Sequence, residues 1–325
     1  MAAPVAAVVA SNRILRSGAW RGVLTLAYHR IHPGGAVQLD PGLLSATVEG
    51  FSEQLAFLAR HFDVVSPEAI RHDPQARGRR VVITFDDGYR DNYELALPAL
   101  REQGLPAAFF LTTGFLDQPR LPWWDELAWM VDRSTAEWVP AGDWLAHPVS
   151  LADRRRAVAA LTTYYKSLPS ERGWDFLEFC GAATGAGRAD AEVAQRLWMT
   201  WEMAAEIRDA GMTIGGHTVN HPVLARSSPD EQRYEIAECL WRLGEKLGDR
   251  PAFFAYPVGL QSAFDATTKD ILREASVELA FSLYGGHLRP GRLDPLDVPR
   301  ASVGLETTRT GFRAMLGAPT LFGRW

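Results

Sequence analysis

Cysteine is nearly absent. Cys180 and Cys239 are the only two in 325 residues, too few for a disulfide framework or a thiolate metal site. That usage is compatible with a reducing compartment. No excess of basic residues is present either. The net charge is -5 and the pI is near 5.9, which argues against a nucleic-acid partner. No apolar run is long enough to span a bilayer. The longest candidate near the start, Ala2 to Ala10, has no Lys or Arg before it, as an export signal requires. We read residues 1–22 as a terminal segment, a short helix at most, and expect a cytoplasmic protein. A membrane-surface role resting on Arg13, Arg16 and Arg21 is the second reading. What remains is a globular composition, 47% hydrophobic and 22% charged, long enough for one large α/β domain.

The most informative stretch is VVITFDDGY, Val81 to Tyr89. Five apolar or β-branched residues predict a buried strand. Asp86 and Asp87 follow at once, then Gly88 permits a sharp turn. Paired acids at a strand end sit at the rim of a sheet, where α/β folds keep their chemistry. Successive residues leave a strand in different directions, so the two acids are suited to different tasks, one on a metal and one on a proton. The other reading is a solvated Asp-Gly turn.

Strands are expected at 23–28, 62–65, 81–85, 106–112, 212–215, 251–256 and 277–282, with a last segment at 298–303. Helices alternate with them at 47–61, 92–103, 200–211, 229–247 and 264–274. That rhythm implies a parallel sheet covered by helices. It breaks between about 114 and 197, where six tryptophans and a run of helix formers but no convincing strand occur. We read that segment as a mostly helical insertion in a single domain, 23–325.

His217 and His221 lie four apart in HTVNH, just after Gly215 and Gly216. On a helical turn that spacing points two imidazoles to one side. Two histidines with one carboxylate make an open site for zinc or another divalent metal. Two surface histidines in a polar loop is the alternative.

TFDDGY, HTVNH and FAYPVG, in that order between parallel-type strands, resemble the polysaccharide deacetylase family, the NodB-homology or carbohydrate esterase 4 group. YHRI (28–31) and VPRASV (298–303) are weaker matches. WWDELAW (123–129) is similar to a bacterial subgroup with a helical insertion. The resemblance implies a distorted (β/α) barrel and metal-dependent removal of an N-acetyl group from an amino sugar of a polysaccharide or a lipid-linked precursor. It implies Asp86 as general base, and Asp87, His217 and His221 as ligands of Zn2+, with Co2+, Ni2+ or Mn2+ as alternatives. It places the backbone of Tyr256, before Pro257, at the oxyanion. Two departures stand out. The arginine expected before this tyrosine is replaced by Phe253-Phe254-Ala255, and Arg300 is the candidate substitute. No Leu-x-His is present near the end, so His287 is the candidate proton donor. His29 and Trp124, with Trp123, are candidates for touching the sugar. An esterase or deformylase, a hydrolase of a non-sugar amide, and a non-catalytic glycan-binding relic remain alternatives. The oligomeric state is not readable.

Overall fold

The computed structural model describes residues 20–35, 39–73, 75 and 78–322; the apolar N-terminal run lies outside them. The sequence builds a ring of parallel strands. They are β1 (Gly22–Tyr28), β2 (Arg79–Phe85), β3 (Ala108–Leu111), β4 (Thr213–Gly216), β5 (Phe253–Ala255), β6 (Leu279–Phe281) and β7 (Arg300–Ser302). Their spatial order is β6-β5-β4-β3-β2-β1-β7, and every pairing is parallel. A two-residue strand, Asp63–Val64, adds to β2. The ring nearly closes between β6 and the approach to β7. Phe281 bridges Val298 in parallel, and the Val298 amide donates to Ala280 at 2.8 Å. The result is the distorted (β/α) barrel expected from the sequence.

Alternation along the strands decides what faces inward. Val82, Ala108, Phe110, Ala255 and Phe281 share one apolar cluster, the barrel filling. Leu26, Ile83, Phe85 and Phe109 belong to another, under the helices. The helices that cover the ring include α1 (Val48–His61), α2 (Leu97–Gln103), α6 (Trp201–Asp209), α7 (Pro229–Leu247), α8 (Ala266–Glu274) and α9 (Arg309–Gly317). Between β3 and α6 lie α3 (Trp123–Asp132), α4 (Arg154–Tyr165) and α5 (Gly173–Thr184). They enclose their own core around Trp124, Leu127, Leu161 and Phe176.

Four local expectations are corrected. The 114–198 stretch is not free of strand: Trp138–Val139 pairs antiparallel with Val149–Ser150. The helix expected over 92–103 opens as a π-helical turn, Asn92–Ala96. Pro98 has no N–H for the Glu94 carbonyl, and the turn widens there. The start expected at Phe264 moves to Ala266, because Asp265 makes a capping box with Thr268. A short parallel pair, Arg30–His32 with Leu44–Thr47, lies in the loop after β1. Among the described residues no helix is long and apolar enough to cross a membrane.

Candidate functional site

Asp86 continues the inward parity of Val82 and Thr84, so its carboxylate enters the mouth of the barrel. There Arg300 of β7 meets it in a two-pronged pair. Nη1 donates to Oδ1 at 2.6 Å and Nη2 to Oδ2 at 2.8 Å. The guanidinium is completed by Thr84 Oγ1 and the Ser282 carbonyl, both at 3.1 Å. Arg300 is 0% and Asp86 2% exposed. Burial pushes the Asp86 carboxyl up, but the Arg300 charge outweighs it and holds the group at about 2. The arginine that meets Asp86 thus comes from the last strand and not from the FAYPVG stretch.

Asp87 has the opposite parity and ought to point away. Its backbone is left-handed, φ 75°, which turns it back to the mouth, and Gly88 follows at φ 89°. Asp87 Oδ1 lies 3.4 Å from Nε2 of His217 and 3.4 Å from Nε2 of His221. It is buried without a hydrogen-bond partner.

HTVNH is not the helical turn expected. It is a loop after β4 in which Thr218 and His221 are left-handed, φ 66° and 57°. Thr218 Oγ1 accepts the His221 amide at 2.9 Å. Glu235 of α7, 3% exposed, accepts the amides of Val219 and Asn220, both at 2.8 Å, and the Asn220 side chain at 2.7 Å. His217 Nδ1 lies 2.7 Å from the Ala255 carbonyl. A carbonyl only accepts, so the proton is assigned to Nδ1 and the Nε2 lone pair faces Asp87. Burial lowers both imidazoles. In His217 the neighbouring Asp86 and Asp87 outweigh it and the net shift is upward; in His221 burial prevails and the value falls to about 3.

The donors fit a divalent cation. Asp87, His217 and His221 form a buried group whose ligand atoms lie within 4.8 Å of one another. Two ligands on one tetrahedral zinc stand roughly 3.3 Å apart, close to the observed separations. An acceptor-only oxygen, orphaned between two imidazole nitrogens, is costly unless a cation fills the gap.

The surrounding pocket holds about 190 Å³ and includes His29, Asp40, Trp123, Trp124, Lys166, Tyr256 and Val258. His29 Nε2 is 3.9 Å from Asp86 Oδ2. Trp124 meets the His221 ring edge-on at 4.4 Å and donates to the Tyr89 hydroxyl. Trp123 donates to the His221 carbonyl and stacks on Tyr165. At 6% and 4% exposure these two indoles brace a histidine more than they offer a face to a sugar. Two expectations do not survive. His287 sits at the other end of the barrel, where Leu288 pairs with Val23 at the start of β1 and the His287 ring meets Trp20. The Tyr256 amide is given to the Phe281 carbonyl and its ring stacks on Phe264, so its N–H is spent. Pro257 is not among the pocket residues. Val258 is among them, left-handed at φ 62°.

Several residues escaped the sequence. Asp125 of the WWD stretch accepts the Asp40 amide and the Tyr89 hydroxyl, both at 2.9 Å. Burial raises its carboxyl to about 7. A buried acid after two tryptophans was a readable signal. Glu235 and Lys166 carried none, since both lie on ordinary helical sequence.

The sequence pattern described as polysaccharide deacetylase matches residues 73–137 and 181–280, together about half of the chain. The chain belongs to the polysaccharide deacetylase family. Both site motifs of this deacetylase-family chain lie within the matched stretches; residues 138–180 lie between them. Bacillus subtilis YxkH, which is named for a polysaccharide deacetylase, is 28% identical over 90 residues, 26% of this chain and 30% of that protein. The Streptococcus pyogenes deacetylase PplD, solved with acetate, shares the fold at a TM-score of 0.60 and 18% identity, over 91% of this chain and 98% of that one. IcaB from Ammonifex degensii does so at 0.56 and 22%, over 91% and 97%.

Proposed function

We propose that residues 23–325 form one catalytic unit, with 114–198 as its helical insertion. It is a divalent-metal-dependent hydrolase that removes an N-acetyl group from an amino sugar of a polysaccharide or glycan precursor. One observation carries this reading: the Arg300-clamped Asp86 and the orphaned Asp87 Oδ1 between two imidazoles share one buried pocket. Asp87, His217 and His221 would hold the cation, zinc first and Co2+, Ni2+ or Mn2+ next. When bound, such an ion polarises an acyl carbonyl and makes water acidic.

The chain supplies the rest. Asp86 takes a proton from the attacking water. A carboxylate held at about 2 is a weak base, so it suits water already made acidic. Arg300 keeps it ionised and fixes its plane. Val258, left-handed in the loop after β5, lines the pocket, and its amide is the backbone donor we assign to the oxyanion. His29, 3.9 Å from Asp86 Oδ2, is the side chain we assign to protonating the leaving amine.

The test is acetate release from N-acetylated sugars after chelation and metal add-back. Turnover that vanishes on chelation and returns with zinc supports the reading. Bound metal with no release from any acetylated sugar overturns it, and release from O-acetyl or N-formyl substrates alone moves it to an esterase or deformylase.

A further inference from the structure

Two cavities meet along α4. The catalytic pocket is bounded there by Thr162 and Lys166. A larger cleft of about 610 Å³ lies beside it and shares Asp40 and Thr162 with it, a volume in the range that seats whole organic ligands. Arg155, Val158, Ala159, Thr162 and Lys166 recur every three to four residues, so one helix face runs along both cavities. At 1.5 Å per residue that face is roughly 16 Å long.

The chemistry changes along it. The cleft is lined by aliphatic side chains, among them Leu39, Val131, Val158 and Ala159, together with the charged Asp132, Arg133, Arg154 and Arg155. Trp129 is the aromatic residue there, and the Arg133 guanidinium covers its ring at 4.9 Å. A platform for stacking further sugars is therefore taken. The junction with the catalytic pocket is cationic. Asp40 lines both cavities, Lys166 lines the catalytic pocket and Arg155 the cleft, so a cation stands on each side of the junction. Arg155 is paired at the surface with Glu306. Lys166 has no carboxylate within ion-pair distance among the described residues; its ammonium lies 5.7 Å from the Trp123 ring centre. The α4 wall falls in the 138–180 stretch between the two family-matched segments, while Ala128, Trp129, Val131, Asp132, Arg133 and Val193 of the same cleft lie within them.

We propose that the cleft seats the hydrocarbon of an amphiphilic substrate: an N-acetylated sugar joined through a phosphate to a long apolar chain. The sugar occupies the catalytic pocket, the phosphate lies against Lys166, and the chain runs along α4. This rests on the deacetylase reading above and narrows its substrate from polymer to lipid-linked precursor. Each buried methylene is worth roughly a fourfold gain, so even a short chain is detectable.

The experiment compares three substrates on the metal-loaded full chain: N-acetylglucosamine 1-phosphate, its farnesyl diester, and an N-acetylglucosamine tetramer. We expect kcat/KM for the farnesyl diester to exceed that for the 1-phosphate by about tenfold or more. Ala159→Trp, at an exposed position of the cleft, brings that ratio to about one. Lys166→Gln lowers kcat/KM on the phosphate-bearing substrates relative to the tetramer. Farnesyl phosphate binding to the metal-free protein, followed by tryptophan fluorescence, gives a readout independent of turnover, and it weakens in Ala159→Trp. Farnesyl phosphate binding with no acetate from any substrate supports the cleft and overturns the deacetylase reading. Acetate release with no farnesyl gain, or a gain for the tetramer instead, overturns the cleft.

Discussion

In the proposed reaction Asp86 and Arg300 are the pair on which the chemistry turns, and their burial makes the outcome of a mutation computable in sign. The folded carboxyl sits at about 2, below its ordinary value of about 3.9. It therefore contributes stability above that ordinary value, and loses it as pH falls through about 2. In Arg300→Met burial acts on Asp86 alone, its pKa rises, and the sign reverses. We expect a loss of about 3–5 kcal/mol at neutral pH, smaller at pH 4, in urea unfolding at the two values. The acid limb of kcat/KM should move upward as well. If stability fell equally at both pH values, the carboxylate would not be the group Arg300 serves. Asp86→Asn keeps all three metal donors, and turnover should drop at least about a hundredfold with zinc still bound in equilibrium dialysis. His217→Ala should lose the zinc. TFDDGY and HTVNH displayed these four residues in the sequence, because metal and proton chemistry restrict residue type. The spent amide of Tyr256 and the remote placement of His287 were not legible, since both depend on which strand closes against which.

A loop with two left-handed residues, not a helical turn, brings His217 and His221 together. Such a backbone persists only where its surroundings over-determine it. Glu235 supplies much of that constraint by holding the loop to α7. Glu235→Ala leaves the buried Val219 amide and the less buried Asn220 amide without their partner, at a cost of about 1–3 kcal/mol for the buried one. Zinc affinity should fall roughly 10- to 100-fold, with Gln restoring part of it. Unchanged affinity in a competition titration would show the loop to be self-supporting. Gly215 on β4 is the matching constraint from below. A Cβ there would stand 2.5 Å from the Phe110 ring and 2.9 Å from the Phe253 carbonyl. Gly215→Ala should therefore cost about 1–3 kcal/mol, read as a lower melting temperature. Strand and helix placements around these elements were legible from apolar runs and caps. The π turn over Asn92–Ala96 was not, because a missing N–H at Pro98 acts one turn earlier than the residue that causes it.

For the molecule as a whole, the proposed cation would link its own binding to the fold. An ion that binds the folded state stabilises it by about 2.7 kcal/mol at a hundred times its dissociation constant. Chelation should lower the melting temperature, and zinc should restore it in proportion to its concentration. A melting curve blind to chelation would argue against a structural hold by Asp87, His217 and His221. The barrel was legible because parallel strands buried on both faces read as continuous apolar runs. The 114–198 region was less so, because its tryptophans fill a separate core whose partners lie far apart in the chain.

β7 docks last in chain order, and it brings Arg300. Arg300 lies 214 residues beyond Asp86 in the chain, so the proposed base gains its counter-charge only through the pairing of the last strand with β1.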